Sequence, residues 1–310
     1  MDEFSRIARY FAPLAGPQGL GLADDAALLT PPPGRELVLT VDQMVEGVHF
    51  LSEDPPELIA RKLLRRNLSD LAAMGALPLG YLLTTALPPE RDESWLRGFA
   101  RGLAADQQKF GFTLYGGDSA SSLAQISLTA TLIGHLAPGT ALRRNGAKAG
   151  DEIWVTGTIG DAALGLAARR GQLADPTGFL TMRSLLPAPR LGLPLGQIAH
   201  AAIDISDGLV QDLGHLARAS GVRAVLHACA VPASPQAAAF GAAMLETRLT
   251  GGDDYELLLA VPPANAAALT HARGGLKITK IGAFIAGEGV EIRDSAGNAL
   301  HFAKPGWTHF

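Results

Sequence analysis

The 310-residue chain has a single cysteine, Cys229, so no disulfide can form within it and no thiolate metal site can be built from it. A lone thiol of this kind is expected to be a small buried hydrophobe. No apolar run reaches the length of about 18 residues that a membrane helix needs. The first ten residues carry Asp2 and Glu3 and lack a basic stretch followed by an apolar one, so no signal peptide is expected. Positive charge is not in excess either. The net charge of −4 argues against a nucleic-acid binder held by a broad basic face. A Gly-x-x-x-x-Gly-Lys-Ser/Thr phosphate loop and the His-Arg-Asp and Asp-Phe-Gly signatures of protein kinases are all missing. Gly19-Leu20-Gly21 lacks the third glycine of a dinucleotide fingerprint. What these absences leave is a cytoplasmic protein without membrane or nucleic-acid partners.

The composition, 47% hydrophobic and 18% charged over 310 residues, suffices for two packed cores. Strands are predicted at Glu36–Val41, Leu79–Ala86, Phe112–Tyr115 and Ile126–Leu136, and helices at Glu57–Met74 and Trp95–Phe110. A break at Ala137-Pro138-Gly139 separates residues 1–137 from 138–310. The second half restarts with a strand at Glu152–Thr156 and a helix from Asp161. A helix through Leu209, Leu213 and Leu216 follows, with Asp207 as its expected cap and Gly221 at its end. Two further strands are predicted at Tyr255–Val261 and Ile278–Phe284. Strands and helices mix without strict alternation, which points to two α/β or α+β domains.

The chemistry concentrates in aspartates beside glycine, serine or a second aspartate: Asp24-Asp25, Asp42, Asp70, Asp118, Asp204, Asp207 and Asp253-Asp254. Each alone reads equally as a turn or a helix cap. Together they repel one another unless a cation neutralises them. Hard oxygen ligands suit magnesium, which completes its shell with water and substrate phosphates. Gly157-Thr158-Ile159-Gly160, between a strand and a helix, is open to two readings, a phosphate cradle or structural packing. His49, seven residues after Asp42 in an apolar stretch, is either structural or a ligand contact.

Nine segments, in order along nearly the whole chain, resemble thiamine-monophosphate kinase. They are Ala23–Ala27, Val41–Phe50, Asn67–Ala76, Gly116–Asp118, Arg144–Lys148, Val155–Gly160, Asp204–Gly208, Gly251–Leu257 and Gly306–Phe310. The family shares a superfamily with aminoimidazole ribonucleotide synthetase, selenophosphate synthetase and a hydrogenase-maturation protein. The resemblance implies an N-terminal domain for ATP, magnesium and dimerisation, pairing into a barrel across a homodimer, and a C-terminal α/β domain. It implies an active-site groove involving both subunits. The expected reaction is magnesium-assisted transfer of the ATP γ-phosphoryl group to thiamine monophosphate.

Carried over by position, the magnesium ligands are Asp25, Thr40, Val41 through its carbonyl, Asp42, Asp70, Asp118 and Asp204, with Asp207 holding a further ion. Gly117, Asp118, Arg144 and Ser206 match the ATP site, and His49, Asp253 and Trp307 the thiamine-phosphate side. No acid or base is assigned. The chain departs from the family at Val41, where threonine is usual, and at Asp253, where glutamate is usual. Rival readings are another ATP-using synthetase of the superfamily and a nucleotide- or thiamine-phosphate-binding protein without turnover. Selenophosphate synthetase requires a reactive cysteine near the N-terminus, and Cys229 is far from it.

Overall fold

The computed structural model describes residues 2–89, 91–272 and 275–308. The chain divides into two compact units, residues 1–71 with 76–138 and residues 72–75 with 139–310.

The first unit is a four-stranded sheet with two helices. Its strands are β1 (Glu36–Val45), β2 (Leu77–Leu87), β3 (Thr113–Ser121) and β4 (Ser127–Leu136), in the order β1-β4-β2-β3. Strict alternation in β4 buries Leu128, Ala130 and Leu132 and leaves Thr129, Thr131 and Ile133 on the other face. The buried face takes the 18-residue helix Pro56–Ala73, whose Leu63, Leu64, Leu68 and Leu71 are fully enclosed. The second helix, Glu93–Phe110, is capped by Asp92, which accepts the Trp95 amide at 2.9 Å, and ends on Gly111 in the left-handed region. Buried Asp106 on this helix accepts from Arg65 at 2.6 and 2.8 Å and from Arg61 at 3.1 Å, tying the two helices together. The opposite face is bare. Leu39 and Val41 there are 66% and 61% exposed, beside the exposed Leu77 and Leu82.

β1 runs on to Val45 and β3 to Ser121, so Asp42 and Asp118 lie inside strands rather than at their ends. The β1 extension carries Asp42 and Gln43 and the β3 extension Gly116, Gly117 and Asp118, which a hydrophobic pattern does not flag, yet the ladders stay paired through them. Gly117 is needed where β3 pairs with β2, since a Cβ there would meet the Leu83 carbonyl oxygen at 1.7 Å. The sheet is open: no barrel closes among the described residues of this chain.

The second unit holds a seven-stranded mixed sheet. The strands are β5 (Glu152–Thr156), β6 (Ala201–Asp204), β7 (Arg223–His227), β8 (Leu257–Val261), β9 (Ile278–Ile285), β10 (Gly289–Arg293) and β11 (Ala299–Leu300). Their order is β11-β10-β7-β9-β5-β8-β6. β8, between β5 and the edge strand β6, is buried at every position, and two separate apolar clusters flank it. Leu258 and Ala260 pack with helix Leu209–Ser220, and Leu257, Leu259 and Val261 pack with Leu195 and Leu269. Cys229 is exposed, contrary to expectation. It sits in the short turn Ala228–Ala230, where Ala228 and not the thiol faces inward.

Candidate functional site

The expected site residues fall into three groups. In the first unit, Thr40 and Asp42 share the helix-facing side of β1, because their ladder partners Leu132 and Ala130 are buried. Helix Pro56–Ala73 presents Lys62, Arg66 and Asp70 at successive four-residue steps, hence on one stripe. Each meets something opposite. The Thr40 hydroxyl donates to Asp70 Oδ2 at 2.5 Å, Arg66 approaches Asp42 at 3.7 Å, and Lys62 Nζ donates to the His49 carbonyl at 3.1 Å. The Val45 amide donates to His49 Nδ1 at 3.0 Å, which places the proton of a neutral ring on Nε2. Buried Glu46 anchors the start of this loop by accepting from Arg91 at 2.6 Å and from the Ile126 amide at 2.9 Å.

Asp25, Gly117 and Asp118 form the second group. They line a cavity of about 670 Å³ whose wall also includes Phe11, Leu114 and Ile133. Asp118 shares its sheet row with Thr84, Thr129 and Gln43, the bare side, whereas Asp42 shares a row with Ala130 and Leu83, the packed side. The two aspartates also stand on opposite edge strands, three strand spacings or roughly 14 Å apart. Within one chain this sheet does not bring Asp42 and Asp118 together.

The third group lies in the second unit, around the loop after β6. Asp204 ends that strand, buried and paired with Leu257. Asp207 is not the cap of helix Leu209–Ser220: Gly208 holds the cap position, and no side chain bonds there. Asp212, within the helix, does the work in reverse. Its Oδ2 accepts the amides of Ser206, Asp207 and Gly208 at 3.1, 3.0 and 3.1 Å. Burial, followed by the charge of Asp207, pushes its carboxyl up to about 7, against those three bonds. The ligand atoms of Asp207, Asp212 and His215 lie within 4.8 Å of one another.

The same loop gathers two more candidates. The Asp253 amide donates to the Ser206 carbonyl at 2.8 Å, and the Trp307 amide to the Asp207 carbonyl at 2.9 Å. Gln211 fixes the Trp307 carbonyl at 2.6 Å, leaving the indole half exposed. Asp253 adopts φ +70°, and Tyr255 donates to its Oδ1 at 2.9 Å. Arg144 is an exposed loop residue whose carbonyl accepts from Ser220 at 2.8 Å. His309 and Phe310, the end of the last matching segment, lie outside the described residues.

Gly157–Gly160 resolves to packing. The Gly160 and Ala162 amides, at the start of helix Asp161–Arg169, are bonded by Asp254 at 2.6 and 3.3 Å. A resident carboxylate thus occupies the place a phosphate would need. Burial pushes Asp254 up to about 8, opposed by the Gly160 amide and Arg183. A Cβ on Gly157 would strike Glu256, a fully buried carboxylate held by Arg183, Arg190 and Thr156.

Comparison with known proteins now bears on this arrangement. The family model described as AIR synthase related protein, N-terminal domain, matches residues 23–136, and its C-terminal counterpart matches residues 148–295. Thiamine-monophosphate kinase of Caulobacter vibrioides is 43% identical, with 99% of this chain and 90% of that one covered. The chain belongs to the thiamine-monophosphate kinase family. It is accordingly an ATP-using phosphotransferase of thiamine biosynthesis. The crystal structure of the Stenotrophomonas maltophilia family member is 40% identical, covers 97% of this chain and 98% of its own, and superposes with a TM-score of 0.86. A complex of AaThiL with AMPPCP and TMP is 32% identical, covers 93% and 91%, and gives a TM-score of 0.79.

The donors at Thr40, Asp42 and Asp70, and at Asp25 and Asp118, are hydroxyl and carboxylate oxygens, a set that fits a hard divalent cation such as magnesium. Sequence reasoning missed Arg66, Asp212 and His215. The four-residue step from Arg66 to Asp70 was a readable signal; Asp212 was visible only as one more helical aspartate.

Proposed function

We propose that the chain transfers the ATP γ-phosphoryl group directly, in line, to the phosphate of thiamine monophosphate, giving thiamine diphosphate and ADP. The observation that carries this reading is the AaThiL complex, in which a relative across nearly the whole chain holds AMPPCP and TMP together. Asp25, Thr40, Asp42, Asp70 and Asp118 would hold magnesium, with the Val41 carbonyl, Asp204 and Asp207 as further ligands. Bound there, magnesium supplies neutralisation of the two phosphate groups that must approach each other. Gly117, Asp118, Arg144 and Ser206 bind ATP. His49, Asp253 and Trp307 bind the acceptor, the indole stacking on the cationic thiazolium and the Asp253 carboxylate attracting it. The acceptor phosphate is largely ionised at neutral pH, its second pKa being about 6, so the chain supplies no general base.

The bare face of the four-stranded sheet supports a homodimer. Pairing two such faces covers Leu39, Val41 and Leu82, and joining edge β3 to edge β1 of a second copy closes a barrel. That closure sets the strand carrying Asp118 of one copy beside the strand carrying Asp42 of the other. The N-terminal unit then serves ATP, magnesium and dimerisation. A cytoplasmic location fits this chemistry, and no described helix is long and apolar enough to cross a membrane.

Incubation of the purified protein with ATP, magnesium and thiamine monophosphate, followed by chromatography, is expected to yield thiamine diphosphate. Free thiamine should be a poor acceptor, because carboxylates and magnesium have no phosphate to grip on it. Equal turnover of thiamine would defeat the assignment.

A further inference from the structure

The stripe Lys62–Arg66–Asp70 puts a guanidinium among carboxylates that the proposed function gives to magnesium. Arg66 is well enclosed, its side chain 12% exposed, and Asp42 opposite is 27% exposed. Their 3.7 Å separation is that of an ion pair without a close hydrogen bond. Asp70 takes the Thr40 hydroxyl, and Lys62 serves the His49 carbonyl. Arg66 on this stripe therefore already sets a positive charge beside the Asp42 carboxylate. A carboxylate already paired with a fixed cation yields less on binding a second one, because the newcomer must displace or share the first and is repelled by it.

We propose that Arg66 is a built-in cation of the Asp42 site: a positioning residue that competes with a divalent cation for the carboxylate and thereby sets the metal concentration at which the site fills. The inference rests on the reading of Asp42 as a metal ligand. Its distinctive content is a sign. Were Arg66 merely part of the packing, removing it would loosen the site and weaken metal binding. As a competitor, its removal strengthens metal binding.

The test is titration of the full-length protein with Mg²⁺ or Mn²⁺ alone, without nucleotide, read by calorimetry and by the rise in Tm. Arg66→Val and Arg66→Gln are each expected to bind metal about two- to fivefold tighter than wild type, the range of a partly exposed ion pair. Adding Asp42→Asn to either variant should abolish the gain. Arg66→Lys, which keeps the charge, should stay near wild type. Equal or weaker metal affinity in a folded Arg66→Gln, or no metal response in any of the proteins, overturns the proposal. Failure of wild type to form thiamine diphosphate would sink the kinase reading while leaving the sign of the metal titration intact.

Discussion

The two sheets of this chain solve the same problem with opposite degrees of completion. In the seven-stranded sheet, β8 is buried along its length and apolar clusters lie on either side of it. In the four-stranded sheet one face packs on two helices while the other shows Leu39, Val41 and Leu82 to solvent. The proposed homodimer would cover that bare apolar face between its two edge strands. The candidate residues follow the same division. Asp204, Ser206, Asp207, Asp253 and Trp307 are cross-linked by main-chain bonds within their own unit. Asp42 and Asp118, in the other, stand on opposite edges and opposite faces. One unit presents a finished surface, the other half of one.

The contrast breaks most sharply if the bare face is spoiled. Leu39→Asp puts a charge on that face and should convert the proposed dimer to monomer with at least a hundredfold loss of turnover, measured by light scattering and assay. A fully active monomer would remove the need for the second copy.

A mixing experiment sharpens the point. Asp42→Asn and Asp118→Asn should each abolish most activity at limiting magnesium while leaving Tm nearly unchanged. Exchanging subunits between the two inactive proteins should restore about a quarter of wild-type activity, because half the dimers are hybrids carrying one intact site each. If both aspartates served a site within one chain, no hybrid would hold an intact site and mixing would restore nothing.

A smaller effect is expected in the finished unit. Asp253→Asn keeps a residue that tolerates φ +70° and should fold normally, yet raise the Michaelis constant for thiamine monophosphate about tenfold with that for ATP little changed. Tyr255→Phe, which removes one hydrogen bond to the carboxylate, should shift it less. An unchanged constant in Asp253→Asn would reduce the residue to a turn former.

The smallest effect is on stability. Asp254 and Asp212 have carboxyls raised by burial to about 8 and about 7, above the ordinary value of 3.8. A raised acid favours the folded state at low pH, and that contribution declines as pH rises from about 4 through the folded values. This contribution to Tm should therefore fall from about pH 4 to about pH 8, and Asp254→Asn should flatten the fall. A slope unaltered by Asp254→Asn would show that the residue is charged throughout.

Much of this was legible in the residues. Leu63, Leu64, Leu68 and Leu71 carry an unmistakable helical period, and Ile126–Leu136 alternates as a half-buried strand must. The continuations of β1 and β3 through Asp42 and Asp118 were not legible, since they are held by ladder partners rather than by their own side chains. Strands β6, β7, β10 and β11 are two to five residues long, too short for a period to emerge. Cys229 faces outward because its neighbour Ala228 takes the inner position, a choice that composition cannot express. For the site, the aspartates announced themselves by type, but their division between two faces of one sheet depends on strand order, which no local pattern encodes. Arg66 went unread because a basic residue on a helix ordinarily signals solvent.

The segment Gly251–Leu257 separates two tasks that its sequence runs together. Asp254 and Glu256 point inward, one holding the start of a helix and the other clasped by two arginines, while the left-handed turn at Asp253 swings that side chain out of the alternation. The inner pair is a fixed keel of the scaffold. The outer position is held by other partners, the Ser206 carbonyl on its amide and the Tyr255 hydroxyl on its Oδ1. A change of side-chain length at Asp253 therefore alters reach toward a ligand without touching the carboxylates of Asp254 and Glu256, and one of this chain's two departures from the pattern it resembles falls at that position.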